Sequence, residues 1–225
     1  LQDKLDAHGI AFVLLISPSK PEIYPEHLPE KYQGRIIKEP SKRAYLMTKP
    51  ELIAAGVNVF DVRELFEELK PTTPFLFPKT GTHWSYYGSY LACRALLQEL
   101  NDKRGFGISI PQLDDLAMGP PIGTDSDLLQ ILNLLWFDPS GRLQPYPKVS
   151  VEAAPMRDRL DILVVGDSFS FTLIDSLNLC RAANNIDLLY YFKRYYHYPT
   201  TDTPGYMMDH VGADAGSIDR ESVNW

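Results

Sequence analysis

The chain has 225 residues, a net charge of −7 and 44% hydrophobic residues, a composition close to that of an ordinary globular domain with a full core. Its acidity and the lack of a Lys/Arg block argue against nucleic-acid binding, and no apolar run reaches the ~18–20 residues of a membrane-spanning helix. The two cysteines, Cys93 and Cys180, are too few for a disulfide scaffold and lack the spacing of metal ligands. We therefore expect one domain over residues 1–225 that needs no metal, nucleic acid or cofactor.

The first half of the chain alternates short apolar runs with helical patterns. Residues 10–16 (IAFVLLI) form a continuous apolar run, which is typical of a strand buried on both faces. The loop that follows, residues 17–29, contains prolines throughout and is predicted to be irregular. A second strand is predicted over residues 57–62, and the clearest amphipathic helix over residues 86–100.

The second half begins with a change of composition. Residues 101–155 are rich in Gly, Pro and polar side chains, and we predict that they form an insertion or cap on the main domain. A third strand is predicted over residues 160–165 and a fourth over residues 186–192, with a helix between them. The remainder, as far as Trp225, is predicted to be loop-like.

Strands that alternate with helices indicate an α/β domain with a mostly parallel sheet. In such sheets, sites form at the carboxyl ends of strands. This rule directs attention to three loops, at residues 17–29, 78–85 and 166–170.

The sharpest local feature is the sequence Gly166-Asp167-Ser168-Phe169-Ser170, which directly follows the third predicted strand. A serine at the start of the next helix has an exposed hydroxyl and free backbone N–H groups beside it, which can hold an oxyanion. Ser168 is therefore a candidate nucleophile, with the amides of Ser168 and Phe169 as oxyanion donors. The alternative, equally weighted from this pentapeptide, is that Asp167 or Ser168 only caps the helix.

A serine nucleophile needs a base. Of the five histidines, His83 is the best candidate, because it lies in the sequence Thr80-Gly81-Thr82-His83-Trp84-Ser85 directly before the strongest predicted helix. The alternative for any single histidine is a structural role.

These motifs together resemble the alginate O-acetyltransferase family. The GDSFS sequence after an apolar strand, the upstream Thr82-His83-Trp84 and the helix with Gly-Ser-Tyr-Leu-Ala carry the resemblance, as do the loop at residues 17–29 and the DSDLL stretch at residues 125–129. The resemblance covers residues 1–192. It implies a three-layer α/β sandwich with helices flanking the sheet, of the SGNH-hydrolase type, in which the His motif precedes the nucleophile.

The resemblance implies that Ser168 takes up an acetyl group and that His83 is its general base. The third catalytic residue of the family is an Asp two residues before the His, and this chain has Gly81 at that position. Because that Asp holds the imidazole, its loss predicts impaired activity unless another carboxylate replaces it. Asp61, at the end of the second predicted strand, is the substitute we name, and we expect Gly81→Asp to raise activity.

Substrate-binding candidates flank the same strand ends. Arg194 and Tyr195 follow the fourth predicted strand, in an aromatic run whose rings and cations suit a sugar, although surface and packing roles are equally open. Trp84 either walls a sugar pocket or packs under the helix. Lys20 and Tyr24 either face the cleft or are solvated loop residues.

The resulting hypothesis is a serine-dependent O-acetyltransferase that acts on an extracytoplasmic polysaccharide. The resemblance implies a periplasmic or extracellular domain, with any export signal or membrane anchor in a segment outside this chain, and an acetyl donor relayed by a membrane-bound O-acyltransferase. We expect a monomer. A carbohydrate acetylesterase and a non-catalytic glycan-binding or scaffold homologue are the alternatives. Cys93 and Cys180 are expected to be buried thiols, or a disulfide if their helices adjoin.

Overall fold

The structure is a computed structural model, and it describes residues 1–33, 43–132, 142–151, 159–191 and 193–199, together with a final strand at residues 213–217. The chain divides into two compact units, Leu1–Pro74 and Phe75–Trp225, which are described in turn. In the described part of the chain, no helix is long and apolar enough to cross a membrane.

Among its described residues, the first unit contains two short parallel strands, four α-helices with both ends described, a 3₁₀ turn at Pro25–His27 and a helical stretch at residues 30–33. The strands β1 (Leu14–Ile16) and β2 (Val59–Asp61) pair in parallel, as expected for the predicted apolar runs, although β1 is shorter than the run predicts. The helices are α1 (Gln2–Asp6), α2 (Lys20–Ile23), α3 (Ala44–Ala54) and α4 (Val62–Leu69). The predicted irregular loop after β1 therefore contains a helical turn, stabilised by a capping box in which the Ser19 and Glu22 side chains bind each other's backbone N–H groups.

The second unit contains the remaining elements. They are α5 (Tyr86–Arg104), β3 (Gln112–Gly119), α6 (Asp127–Leu132), β4 (Gln144–Ser150), β5 (Leu160–Gly166), α7 (Phe169–Leu179), β6 (Ala183–Tyr190), β7 (Arg194–Pro199) and β8 (Ala213–Ser217). A 3₁₀ turn, Gly123–Ser126, directly precedes α6. The long helix α5 is capped at its N-terminus by Ser85, whose Oγ accepts the N–H of Gly88. It is followed at its C-terminus by Gly105 in the left-handed conformation, with φ of 66°.

The main sheet of this unit has the order β5-β6-β7-β8. The β5–β6 pair is parallel, but β6–β7 and β7–β8 are antiparallel. The expectations of a mostly parallel sheet and of a loop-like C-terminal part are therefore wrong for the described strands. A tight connection after Tyr190 returns the chain to pair with β6, and short returns of this kind produce antiparallel neighbours.

The strands β3 and β4 form a separate antiparallel pair. Tyr146 of β4 is buried and turns toward the 3₁₀ turn at Gly123–Ser126, where its hydroxyl accepts the N–H of Ile122 at 3.1 Å. The assignment of residues 101–155 as an insertion or cap remains a prediction.

The helices α5 and α7 lie side by side and run in the same direction. Ser89 of α5 shares a hydrogen bond of 3.0 Å with Ser176 of α7, and one turn further along both helices the Sγ atoms of Cys93 and Cys180 are 3.8 Å apart. Both pairs are separated by 87 residues in the sequence, so the helices advance in register. Their N-terminal ends therefore lie at the same end of the pair, next to the two motifs singled out in the sequence.

Candidate active site

Ser168 lies in the short turn between β5 and α7. It has a helical backbone conformation at the first position of the turn into α7, and its side chain makes no capping hydrogen bond. Asp167 supplies the cap instead, since its Oδ1 accepts the N–H of Phe169 at 2.9 Å. Of the two roles left open for Ser168, the capping role belongs to its neighbour, and the Ser168 hydroxyl is left for another partner.

That partner is His83. Its Nε2 lies 2.7 Å from Ser168 Oγ, across 85 residues of sequence. The imidazole is largely buried and packs against the ring of Phe169, with 4.7 Å between ring centroids. The structure therefore brings the two sequence-predicted residues into direct hydrogen-bond contact.

Asp127, the first residue of α6, completes the arrangement. Its Oδ2 lies 2.5 Å from Nδ1 of His83, and its Oδ1 accepts the N–H of Thr82 at 2.7 Å. A carboxylate accepts hydrogen bonds, so Nδ1 carries the proton, Nε2 is the acceptor and the Ser168 hydroxyl donates. Ser168, His83 and Asp127 thus form a Ser–His–Asp relay of the kind that activates a serine for acyl transfer.

Asp61 does not have the role named for it in the sequence analysis. Its Oδ2 accepts hydrogen bonds of 2.5 Å from Lys49 and from Tyr45, and its Oδ1 caps α4 by accepting the N–H of Arg63. Although burial opposes it, the bonds from Lys49 and Tyr45 hold the pKa of Asp61 below its ordinary value. This carboxylate stabilises the first unit, and Asp127 is the carboxylate on His83.

Gly81 lies where two chain segments meet. Thr80 Oγ1 donates to the backbone oxygen of Asp125 at 2.5 Å, and the Thr82 N–H donates to Asp127. These two bonds hold the backbone of Gly81 directly against the 3₁₀ turn. A Cβ at Gly81 would overlap the Thr124 carbonyl oxygen and would lie 2.9 Å from Pro78 Cγ. The glycine is therefore required for the close approach that delivers Asp127 to His83.

A buried polar pair supports this turn. Asp125 is fully buried, and its Oδ2 lies 2.9 Å from the hydroxyl of Tyr146, which also lies 2.9 Å from the Pro120 carbonyl oxygen. Burial raises the pKa of Asp125 to about 7, the charge of Asp127 adds to this, and the Tyr146 hydrogen bond opposes it. Asp125 and Tyr146 thus hold in place the 3₁₀ turn that directly precedes Asp127.

The predicted oxyanion donors are not equally available. The Phe169 N–H is engaged by the Asp167 side chain at 2.9 Å, so it would have to leave that acceptor to bind an oxyanion. The Ser168 N–H points from the first turn of α7, where the helix dipole favours negative charge, and it donates to no residue in the described ranges. The Ser168 amide is the better placed of the two.

The predicted substrate-binding residues lie in different places. Trp84 is 1% exposed and packs edge-on against Phe169 at 5.5 Å, so the expectation that it walls a sugar pocket is wrong. Arg194 is exposed and pairs with Tyr190, which in turn pairs with Gly166, the last residue of β5. It therefore lies at the same end of the sheet as Ser168. Tyr195 donates to Asp187 at 2.6 Å on the sheet face opposite α7.

Lys20 and Tyr24 belong to the first unit. Lys20 begins α2, and the Tyr24 ring stacks on His27 at 5.8 Å beneath the Lys70 ammonium group. Their predicted part in substrate binding remains a prediction.

The signals for this site were unequal in the sequence. Ser168 and His83 follow from local motifs, whereas Asp127 lies in the 125–129 stretch, which was noted only for its resemblance to a family segment. In the described residues, no group of three or more His, Cys, Asp or Glu side chains is arranged to hold a metal ion. The arrangement of Ser168, His83 and Asp127 suits proton transfer and nucleophilic attack.

Comparison with known sequences gives two matches. A sequence model of the family described as the SGNH hydrolase-like domain of the acetyltransferase AlgX matches residues 1–181. The probable alginate O-acetylase AlgJ of Pseudomonas fluorescens is 30% identical over 103 residues. This match covers 46% of the chain and 25% of the relative, so the similar region spans about a quarter of that protein.

Comparison with solved structures shows a shared fold. The O-acetyltransferase domain of Pseudomonas putida AlgJ matches with a TM-score of 0.53 at 21% identity, over 84% of this chain and 66% of that one. Pseudomonas aeruginosa AlgX matches with a TM-score of 0.52 at 20% identity, over 84% of this chain and 46% of that one. Bacillus cereus PatB1 matches with a TM-score of 0.51 at 13% identity, over 93% of this chain and 82% of that one. The predicted α/β fold of the SGNH-hydrolase type is confirmed.

Proposed function

Because the chain belongs to the family of SGNH hydrolase-like acetyltransferase domains represented by AlgX, we propose that it is an O-acetyltransferase built on Ser168, His83 and Asp127. The observation that carries the proposal is the continuous hydrogen-bond relay from Ser168 Oγ through both nitrogens of His83 to Asp127. The bond between Ser168 Oγ and His83 Nε2, at 2.7 Å, has the length that a nucleophile and its base need for proton transfer.

In the first half of the reaction, Ser168 accepts an acetyl group from a donor ester. His83 Nε2 takes the Ser168 proton as Oγ attacks the acetyl carbonyl carbon, and Asp127 stabilises the imidazolium that forms. The Ser168 N–H, at the positive end of α7, binds the oxyanion of the tetrahedral intermediate. The intermediate collapses to acetyl-Ser168 as the leaving alcohol takes the proton back from His83.

In the second half, a sugar hydroxyl replaces the donor. His83 Nε2 removes the hydroxyl proton, the sugar oxygen attacks the acetyl-serine, and Ser168 leaves with the proton returned by His83. The acetyl ester is thereby transferred with no net change in protonation. Water in place of the sugar would make the same relay an acetylesterase, so exclusion of water from the acetyl-serine separates the two activities.

The acceptor that we propose is a polysaccharide outside the cytoplasmic membrane, supplied with acetyl groups through a membrane-bound O-acyltransferase. Support comes from the names of the relatives, an alginate O-acetylase and an O-acetyltransferase domain. The net charge of −7 does not favour a uronic-acid polymer over a neutral glycan. The scaffold alternative relied on a missing carboxylate at Gly81, and the carboxylate of Asp127 removes that reason for it.

The decisive experiment is to trap the acetyl-enzyme. The purified chain is mixed with p-nitrophenyl acetate and quenched in acid, and intact and peptide mass spectrometry then locates any added acetyl group. We expect one acetyl group on the peptide that contains Ser168 in the wild type, and none there in Ser168→Ala. A Ser168 peptide that stays unmodified while nitrophenolate is released would contradict the proposal.

A second measurement separates transferase from esterase. Acetate release and acetyl transfer are followed in parallel with neutral and uronic-acid oligosaccharides as acceptors. A transferase gives acetylated oligosaccharide at the expense of free acetate. An esterase gives acetate alone, at a rate that is independent of the acceptor.

A further inference from the structure

The helices that follow the two site motifs meet at a pair of cysteines. Cys93 is in the middle of α5, Cys180 ends α7, and their Sγ atoms lie 3.8 Å apart. Both residues are completely buried. The pair lies one helical turn beyond the hydrogen bond between Ser89 and Ser176, so it belongs to the same ordered helix–helix contact.

The two sulfur atoms meet across a long stretch of sequence. The chain has two cysteines, separated by 87 positions, and the packing of α5 against α7 brings both into the same buried contact.

We propose that Cys93 and Cys180 form a structural disulfide that cross-links α5 to α7. The sulfur atoms, already in van der Waals contact, need to approach to about 2.05 Å to form the bond. Each thiol loses one proton and the pair loses two electrons as the S–S bond forms. The oxidant is a disulfide-containing thiol oxidant, such as a thiol–disulfide oxidoreductase or oxidised glutathione, which is reduced to two thiols.

The cross-link is placed to hold the site together. His83 lies just before the first turn of α5, and Ser168 lies at the first turn of α7, so the relative position of these two helices sets the distance between Oγ and Nε2. A covalent bond between the helices resists sliding of one along the other. It also closes a long loop, and loop closure restricts the unfolded chain.

The timing of oxidation follows from burial. The hydrogen bond to Cys180, together with burial, raises the pKa of the Cys93 thiol well above its ordinary value, so the reactive thiolate is suppressed once the core has formed. Oxidation therefore takes place while the chain folds. Disulfides persist in oxidising compartments, so the location outside the cytoplasmic membrane proposed above provides the setting.

The test does not depend on that location or on the enzymatic activity. The reduced, unfolded chain is refolded with oxidised glutathione, then unfolded again and treated with a maleimide reagent that labels free thiols. We expect no labelled cysteine and a peptide pair that joins Cys93 to Cys180 and separates on reduction. Two labelled cysteines, or glutathione attached to either residue, would overturn the proposal.

Stability gives a second readout. Reduction should lower the melting temperature of the oxidised wild type by about 5–15 °C. The matched control is the double variant Cys93→Ala/Cys180→Ala, whose melting temperature should not respond to reductant. A wild type that is equally unresponsive would show that no structural cross-link exists, whatever the outcome of the acetyl-enzyme experiment.

Discussion

Asp127 Oδ2 lies 2.5 Å from Nδ1 of His83, although the two residues are separated by 44 positions in the chain. In the family pattern, the carboxylate lies two residues before the histidine, and here that position is Gly81. The relay is nevertheless complete, because the turn that leads into α6 packs directly against the segment containing His83. The partner of His83 therefore comes from a different part of the chain, and Gly81 permits the approach.

Replacing Asp127 with Asn tests this assignment. The amide keeps the size of the side chain and an oxygen for the Thr82 N–H, but it cannot stabilise the imidazolium of His83 or hold the required tautomer. We expect kcat for p-nitrophenyl acetate to fall by about 10²–10⁴-fold with little change in the melting temperature. Steady-state kinetics and thermal unfolding measure the two effects.

The control for Asp127→Asn is Asp115→Asn, which removes the same charge from an exposed position on β3 beside Lys148. Its kcat should match that of the wild type, because Asp115 is not part of the relay. Its melting temperature should also be unchanged, because exposed ion pairs contribute little to stability. Equal activity of the two variants would mean that Asp127 is not part of the proton relay.

Gly81→Asp is expected to lower activity, in contrast to the expectation from the sequence. The new Cβ overlaps the Thr124 carbonyl oxygen, a backbone atom that can move only if the 3₁₀ turn moves. Overpacking of this kind costs about 1–3 kcal/mol, and the displaced turn carries Asp127 away from His83. Kinetics and urea unfolding should both show the loss.

Gly81→Ala separates the clash from the carboxylate. It introduces the same Cβ without a charge, so both variants should lose activity to a similar extent. A Gly81→Asp enzyme more active than the wild type, alongside an impaired Gly81→Ala enzyme, would contradict this expectation. It would show that a carboxylate at position 81 serves His83, as in the family pattern.

The parts of the fold that could be predicted depend on local signals. The apolar run at residues 160–165 becomes β5, and the periodic pattern from residue 86 becomes α5, bounded by a serine cap and by Gly105 in the left-handed conformation. Ser168 and His83 could be placed because each directly adjoins such an element. Strand ends and helix starts are encoded in a few neighbouring residues, so these predictions needed no knowledge of the tertiary fold.

The parts that were missed depend on contacts between distant residues. The strand β7 alternates Tyr196 and Tyr198 with Tyr195 and His197, but because nearly all its side chains are aromatic, the alternation of apolar and polar residues was hidden. The partner of His83 was missed because no pattern in the sequence indicates that residues 80–83 pair with residues 125–127. That contact is fixed by hydrogen bonds from Thr80 and Thr82, which become visible only in the folded chain.

Tyr146→Phe is expected to loosen the turn that carries Asp127. The substitution removes a hydroxyl that accepts from the Ile122 N–H and that lies 2.9 Å from both Asp125 Oδ2 and the Pro120 carbonyl oxygen. Leaving buried polar groups without a partner costs about 1–3 kcal/mol. Urea unfolding should show this loss, together with a reduced kcat.

The matched control for that variant is Tyr191→Phe, which removes the hydroxyl from a tyrosine that is 53% exposed. Its stability should stay within about 0.5 kcal/mol of the wild type, as is usual for surface changes. If Tyr146→Phe were equally silent, the hydrogen bonds of Tyr146 would have no part in holding the turn.

Asp125 should make the stability of the protein depend on pH near neutrality. Burial raises its pKa from 3.8 to about 7, so between these values the folded chain binds a proton that the unfolded chain has released. Stability is then lost as the pH rises through this window, by up to about 4 kcal/mol in total. The carboxylate of Asp61, whose pKa is lowered, acts in the opposite direction and only at more acidic pH.

Asp125→Asn isolates this contribution, because the amide is neutral at every pH and has nearly the same shape. We expect the free energy of unfolding of the wild type to fall relative to that of Asp125→Asn as the pH is raised from about 4 to about 8, and the difference to level off above that range. Urea unfolding at a series of pH values measures both proteins side by side. Parallel curves would mean that Asp125 ionises in the folded protein as freely as it does in the unfolded chain, and that its burial does not raise its pKa.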